Sequence, residues 1–554
     1  MSLRIITTVL LLSLSLVGFS QKEILLHLDK PYYVSGEIAW FKLYLPTEYE
    51  DQNCMLKVNL ARSNGSIVDE FFLKTEGGSS VEGYYKFGYD IPSDQYQLLF
   101  SALNTASNEE QIVGKYEVPV YNDLTPPSAN SSGAAGSSST EEYTKTGDLN
   151  VIIEFSKDTY LPRDEIRMRI RTNNNENSPV PANISISVVD ADLIGRNHKT
   201  QSVQVDESST SDISNLSENI YRKGRITNEE GAGLRTNVIG AFSGLENAMF
   251  YTKSNDNGEY VLDLPDFDGS KPIQLTGNIF EEHADITLDF EDNIGSQSGS
   301  SLQFDETINN YLTTSRNRKK IYQFYKKTEA YIDQAQVQID EKELKPNSTF
   351  RLKDYEAFEN MAAFFNELLS SNLDFPTTDD GNFIARMYNP EARGQIRHFS
   401  GAPIFILDGK MTDDADFVGK MSTETVESAD LYFITKDIRQ QFGTFGSSPF
   451  VFIHTNQPDI AIPENDADDI FRMNGIQPQG QFMGITEEDR SGGVPIFRPM
   501  VHWDANQNTN QSGFVNIPFN HSDDVGTFLV TVVARDNEGN LSVGRGVYKV
   551  GNVN

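Results

Sequence analysis

The chain has 554 residues, a length that suggests several domains, and its 46 Lys+Arg stand against 80 Asp+Glu for a formal net charge of −34. So acidic a chain repels phosphate backbones and anionic lipid faces, and nucleic acid is not an expected partner. Hydrophobic residues at 38% with 40 glycines match ordinary globular proteins and exclude a wholly disordered chain, and the absence of a dominant period of three or seven excludes collagen-like and coiled-coil readings.

Residues 1–20 read as a secretory signal: MSLR is a positive start, Ile5 to Phe19 an apolar stretch, and the segment ends near GFSQ. The stretch is short for a membrane span, and no cysteine follows it to carry a lipid anchor. No second long apolar run occurs. The mature chain is therefore expected to be exported, periplasmic or outer-membrane-associated or at the cell surface, with no transmembrane span. The single cysteine, Cys54, excludes an intramolecular disulfide and a four-cysteine zinc site.

Residues 22–121 hold seven β-type runs, from ILLHL to IVGKYEVPVY, separated by Gly, Pro, Asn and Asp. Ser63-Asn64-Gly65-Ser66 predicts a tight hairpin, and the set predicts a β-sandwich. The run PPSANSSGAAGSSSTEE (126–142) reads as a linker. Strand patterning resumes at Leu149–Phe155, Glu165–Arg171 and Asn183–Val189. A polar stretch at 197–219 precedes a β-rich block, 220–295, in which Asn257-Gly258 predicts a hairpin.

From about 304 the period becomes helical, at Phe304, Ile308 and Leu312 and again at Ile321 and Tyr325. Tyr355, Phe358, Met361, Phe365 and Leu368 predict a second helix, with Asp354 as its N-cap. Strands follow at 403–407, 430–435 and 450–454. Residues 495–550 return to β texture, with turns at Gln511-Ser512-Gly513 and Asn537-Glu538-Gly539.

An internal echo links LHLDKPYYVSGEIAWFKLYL (26–45) to IEFSKDTYLPRDEIRMRIRT (153–172). Lys30 aligns with Lys157, Tyr33 with Tyr160 and Glu37 with Asp164. Each copy is a strand, a sharp turn holding Gly36 or Pro162, and a second strand, with a carboxylate placed to satisfy turn amides. This is a fold signature and carries no catalytic content.

Asp29-Lys30-Pro31, Tyr33 and Gly36-Glu37 resemble the opening of the macroglobulin domains of the alpha-2-macroglobulin superfamily. ISISVVDADL (184–193), with Asp190 closing Val-Val-Asp, is similar to a later strand of those proteins, and 501–544 resembles another of their segments. GRITNEEGAG and SNDNGEYVL make 222–290 similar to a carboxypeptidase-regulatory-like sandwich. Residues 403–455 resemble a TonB-dependent receptor plug, through Asp408-Gly409 in ILDG and through Phe445-Gly446. The resemblances imply a mainly β fold of several macroglobulin/immunoglobulin-like β-sandwich domains with an α/β plug-like domain.

The domain plan is a signal peptide (1–20), a macroglobulin-like sandwich (21–122), a Ser/Gly linker (123–147) and a second macroglobulin-like segment (148–219). A regulatory-like sandwich (220–295), a helical segment (300–372), a plug-like domain (373–457), a polar loop (458–494) and a terminal macroglobulin-like segment (495–554) complete it. Cys54 lacks the Cys-Gly-Glu-Gln setting of the thioester members, which excludes covalent trapping. Too few residues follow 455 for a barrel of even eight strands, at about ten residues each.

Few motifs in the chain carry chemistry. The seven histidines include no His-Glu-x-x-His, and each reads as packed or surface. There is no Gly-x-Ser-x-Gly elbow and no Walker loop. The acidic runs at 413–416, 466–469 and 256–259 lack the spacing of a twelve-residue calcium loop and read as solvated loops or turns. Cys54 reads as a buried structural residue. Arg316-Asn317-Arg318-Lys319-Lys320, followed by aromatics, stands out in so acidic a chain. A solvated helix face is favoured there over a helix docking on an acidic partner or headgroups.

The expected function is a non-catalytic envelope protein that binds or scaffolds other proteins, with an outer-membrane barrel or TonB-dependent uptake assembly as partner. No cofactor, metal or catalytic residue is expected. The alternative is a thioester-free protease inhibitor offering 197–219 or 458–494 as bait.

Overall fold

The computed structural model describes residues 23–49, 52–125, 147–194, 203–207, 214–228, 230–242, 249–276, 285–288, 302, 304–325, 332–334, 345–388, 398–399, 402–433, 449–457, 462–463 and 470–551. The signal, the linker run 126–142, the acidic run 466–469 and Gly446 lie outside them. The fold is mainly β. The chain forms two compact units: one from residues 1–218, 292–335 and 478–554, the other from 219–291 and 336–477. Among the described residues no helix is long and apolar enough to cross a membrane.

The first unit opens with a sandwich. One sheet holds β1 (Glu23–Leu28), β3 (Ile38–Tyr44) and β6 (Ser80–Lys86). The facing sheet holds β2 (Tyr33–Val34), β4 (Met55–Ala61), β5 (Ile67–Lys74), β7 (Asp94–Asn104) and β8 (Glu109–Tyr121), in the order β2-β8-β7-β4-β5. β4 and β5 pair through the expected Asn64-Gly65 turn. Leu26, Phe41, Val58 and Phe100 are among the residues of its core.

The segments read separately as 148–219 and 495–554 combine into a second sandwich. β9 (Asn150–Phe155), β10 (Thr159–Tyr160), β11 (Glu165–Asn173) and β12 (Ala182–Asp190) come from the first. β30 (Met500–Asn508), β31 (Phe514–Asn520), β32 (Gly526–Asp536) and β33 (Leu541–Val550) come from the second. The sheets run β10-β33-β32-β12-β30 and β31-β11-β9. In β11 the period of two is plain: Ile166, Met168 and Ile170 are buried while Arg167, Arg169 and Arg171 face solvent. After β12 comes a one-turn helix, α1 (Ala191–Ile194), and then β13 (Val203–Glu207). β13 joins the first sandwich on the free side of β1.

Every residue of β3 is buried, polar Lys42 included, because its sheet is covered on both faces. The inner face meets its own core, and the outer face meets β12, β30 and β32 of the second sandwich. There His27 places its ring nitrogens 2.6 Å from Ser185 Oγ and 3.3 Å from Ser187 Oγ, and its ring lies 5.1 Å from Trp503. Tyr44 Oη lies 2.8 Å from Ser185 Oγ, and Lys42 Nζ donates to the carbonyl of Ala505 at 2.8 Å. Helix α2 (Glu306–Phe324), a two-stranded ribbon, β20 (Ile332–Gln334) with β29 (Gly480–Phe482), and helix α5 (Glu487–Ser491) also belong to this unit.

The second unit joins a sandwich to a mixed layer. β14 (Ile220–Thr227), β17 (Glu259–Leu264) and β19 (Asp285–Leu288) form one sheet. β15 (Asn237–Phe242), β16 (Met249–Lys253), β18 (Ser270–Thr276) and β28 (Ile470–Asn474) form the other. Two expectations are corrected here. The Asn257-Gly258 turn exists, with Gly258 at φ +80°, but it carries the chain from β16 in one sheet to β17 in the other and so joins no hairpin. β28 lies inside the stretch read as a polar loop, 458–494; a strand added from far along the chain leaves no local turn to announce it.

The mixed layer is a sheet ordered β21-β26-β27-β24-β25, built from β21 (Ser348–Arg351), β24 (Ile404–Leu407), β25 (Lys410–Thr412), β26 (Val426–Tyr432) and β27 (Phe450–Thr455). Helices α3 (Met361–Leu368) and α4 (Ala415–Lys420) and a ribbon, β22 (Leu373–Asp374) with β23 (Arg386–Met387), complete it. Residues 300–372 are thus not uniformly helical, since β21 lies within them. The cap of α3 is Asn360, whose side chain accepts from Ala363 N, and Asp354 instead ends a 3-10 turn. Tyr355 and Phe358 precede the helix, and Leu368 is exposed.

Two glutamines close sheet edges. Gln274 donates to Met411 O at 2.7 Å and accepts from Met411 N at 2.6 Å, so its amide takes the place of a neighbouring peptide beside β25. Gln204 of β13 makes the same pair of bonds, 2.7 and 3.0 Å, with Glu117 of β8.

Burial, with Lys42 and Arg545 nearby, lowers the pKa of His27 from 6.5 to about 3. The folded chain keeps it neutral while the unfolded chain takes a proton below about pH 6.5, so its contribution is present above that pH and is lost as pH falls toward 3. His502 and His521, lowered to about 4 chiefly by burial, act in the same sense. Asp29 and Asp190, raised to about 6 chiefly by burial, act in the opposite sense between about pH 4 and 6. His27→Gln should flatten the slope of unfolding free energy against pH between 4 and 6.5 by about one proton, ~1.4 kcal/mol per pH unit. Urea titrations across that range measure it; an unchanged slope would show that His27 is not held neutral.

Candidate functional site

The first motif copy begins where β1 ends. Asp29 Oδ1 accepts from the hydroxyl of Tyr33 at 2.6 Å and from Trp40 N at 2.8 Å, which ties the start of the turn to the strand after it. Pro31 is buried in the bend, and Lys30 Nζ lies 4.9 Å from the centroid of the Tyr33 ring. β2 then pairs parallel to the end of β8. Gly36 has φ +85°, and a Cβ there would stand 2.4 Å from the Tyr89 ring, so glycine is required twice over.

Glu37 is the centre of the cluster. It accepts from Lys30 Nζ at 2.9 Å, Val34 N at 3.1 Å and Arg318 Nη2 at 3.0 Å, and the hydroxyl of Tyr311 lies 2.8 Å from Oε1. Burial alone would raise its pKa; Lys30, Arg318 and the hydrogen bonds outweigh that and hold it at about 2. Asp29 has Lys30 3.9 Å away, and burial prevails there.

Tyr311 and Arg318 come from α2, 274 and 281 residues further along the chain. Asp305 caps this helix, accepting from Ile308 N at 2.9 Å. Ile308 and Leu312 pack with Trp40 and Tyr84, as the helical period predicts. Lys319 donates to Ser35 O at 2.7 Å and pairs with buried Asp123 at 2.8 Å, while Arg316 bonds the carbonyl of Asp123. The basic cluster therefore departs from both readings of it. Much of it is not a solvated face, and the acidic groups that it meets belong to the same chain.

The second copy repeats the outline of the first. Tyr160 Oη lies 3.1 Å from Ser156 Oγ, where Tyr33 meets Asp29. Lys157 Nζ is 5.6 Å from the Tyr160 ring and 3.9 Å from Asp164. Asp164 accepts from Leu161 N at 3.0 Å, as Glu37 does from Val34 N. β10 pairs parallel to β33, as β2 does to β8. The left-handed position is Arg163, at φ +63°, and not Pro162.

The copies differ in cover. Lys157 is 64% exposed where Lys30 is 3% exposed. The second turn is held through Arg163, which bonds Asp523 at 2.6 and 2.7 Å and the carbonyls of Arg490, Gly492 and Val494. Those carbonyls lie in the stretch offered as bait at 458–494. The other candidate bait, 197–219, contains β13.

Asp190 caps α1, accepting from the amides of Asp192 and Leu193. Asp408 and Gly409, at φ +46° and +83°, form the turn between β24 and β25, and Asp408 accepts from Thr455 N at 2.9 Å and Thr455 Oγ1 at 2.5 Å. Cys54 is buried just before β4, and burial pushes its thiol up to about 11. Asp414 caps α4, and Asp416 pairs with Lys420. Among the described residues no three His, Cys, Asp or Glu side chains converge to hold a metal. The motif residues hold the fold. Sequence reasoning noticed Arg318 in the dense basic run but not its partner Glu37, and it missed Tyr311, Arg163 and the two glutamines.

No protein family profile matches the chain, and neither does any curated protein. Among solved structures, native alpha-2-macroglobulin of Escherichia coli is similar at 8% identity over 96% of this chain and 40% of that one, with a TM-score of 0.24. The trypsin-activated Escherichia coli protein gives 7%, 96%, 42% and 0.24. Salmonella alpha-2-macroglobulin reacted with methylamine gives 8%, 96%, 39% and 0.23. The chain spans less than half the length of these proteins.

The matched copies allow a paired test. Lys30→Ala removes one partner of a buried cluster and should cost about 3–5 kcal/mol of unfolding free energy. Lys157→Ala, at the solvated copy, should cost less than about 1 kcal/mol. Equal losses in denaturant titrations would contradict the role given to burial.

Proposed function

We propose that this chain is an exported, non-catalytic protein of the Gram-negative envelope that binds or scaffolds other proteins. In this reading the two sandwiches of the first unit are macroglobulin-like, the sandwich of the second is carboxypeptidase-regulatory-like, and the mixed layer is plug-like. The observation that carries the reading is the use to which the motif residues are put. Lys30, Glu37 and Tyr33, the ionisable groups of the motif, are engaged in internal bonds that join a turn, a strand and a helix. A scaffold needs such rigid support for its loops and edge strands. The proposed partner is an outer-membrane barrel or a TonB-dependent uptake assembly, engaged through the mixed layer.

Chemical crosslinking of intact cells, followed by purification of the chain and mass spectrometry, tests this. Recovery of an outer-membrane barrel or its lipoproteins with crosslinks into 403–455 is the expected outcome. Proteases joined to 197–219 or 458–494, with no barrel, would overturn the proposal.

A further inference from the structure

The mixed layer carries a groove that no motif announces. It has a volume of about 510 Å³, within the range of ligand sites, and lies between the segment after β21 and the start of β26. β21 pairs with β26 only from Ser428 to Leu431, although β26 begins at Val426. The chain leaves the sheet after Arg351 in a 3-10 turn, Leu352–Asp354, and the groove opens where β21 departs.

Its lining is of two kinds. Tyr355 offers its half-exposed ring, set edge-on to Phe364 at 5.2 Å, above Leu352, Phe364 and Val426, which are themselves buried. Around them stand Arg351 and Lys353 of one sign and Glu356, Glu424 and Glu427 of the other. Among the described residues none of these five side chains makes an ion pair or a side-chain hydrogen bond, although all five line one groove. Both signs are therefore open to a ligand, beside the exposed face of the Tyr355 ring, on which an apolar side chain can pack.

We propose that this groove binds a short extended peptide segment of a partner protein, carrying an acidic and a basic side chain on either side of an apolar one. The peptide lies beside the start of β26, in the line that β21 leaves, and its charges meet those of the rim. The inference rests on the protein-binding reading above and gives it a site and a ligand chemistry.

Selection of a random linear hexapeptide display library on the full chain, with counter-selection on the Arg351→Glu/Glu427→Lys variant, tests it. Enriched peptides, made with a fluorescent label, are then titrated by anisotropy. The expected result is peptides of both charges around an apolar residue, bound at least tenfold more weakly by Arg351→Glu or by Glu427→Lys. Thermal melts of these surface variants, unchanged from the parent, keep loss of folding apart from loss of binding. No enriched peptide, or peptides bound equally by the variants, would overturn the groove. Crosslinking that still recovers a partner in that case leaves the scaffold reading standing, so the two failures are distinguishable.

Discussion

A carboxylate buried between a lysine, an arginine and two hydrogen-bond donors is the constraint on which the first unit depends. Glu37 loses its water on folding, a cost that only close opposite charge and well-aimed donors can offset. Lys30 and Val34 come from its own turn, and Arg318 and Tyr311 come from a helix that the chain reaches only after passing through the first segment of the second unit, 219–291. The turn is thus complete only when distant chain has returned to it. Charge of this kind is a poor source of net stability, and here it joins a helix that is also docked through apolar Ile308 and Leu312.

The same turn, used twice, shows what is intrinsic to it and what is added. Strand, tyrosine hydroxyl, lysine over the ring, carboxylate onto the amide three residues before it, and a short parallel pairing to the last strand of the sandwich recur in both copies. What differs is the cover. In the first copy the left-handed position must be glycine because Tyr89 closes over it; in the second it is Arg163, whose side chain reaches across to Asp523 and three carbonyls. One backbone device therefore anchors two different outside elements, a helix and a loop.

Much of this was legible in the sequence. Period-two patterning located most strands, Asn64-Gly65 marked the turn between β4 and β5, and the Ile308–Leu312 spacing found the docking helix. Pairing was not legible. Asn257-Gly258 has the chemistry of a hairpin, but a tight turn between facing sheets needs the same residues, and only the distant partners β14 and β15 decide between them. β28 and the joining of 148–219 with 495–554 are likewise set by long-range ladders. Arg318 was misjudged because charge on a helix is ordinarily solvated, and its acidic partner lies 281 residues away. Gln204 and Gln274 bear no local mark of the edges that they close.

Hydrogen–deuterium exchange on the parent chain and on Glu37→Gln tests the central claim most directly. If Glu37 joins the turn to the helix, amides of 33–40 and of 306–324 should lose protection together in the variant, while those of the mixed layer at 404–407 and 450–455 keep theirs. Loss of protection in the turn alone, with the helix as slow to exchange as in the parent, would contradict the account.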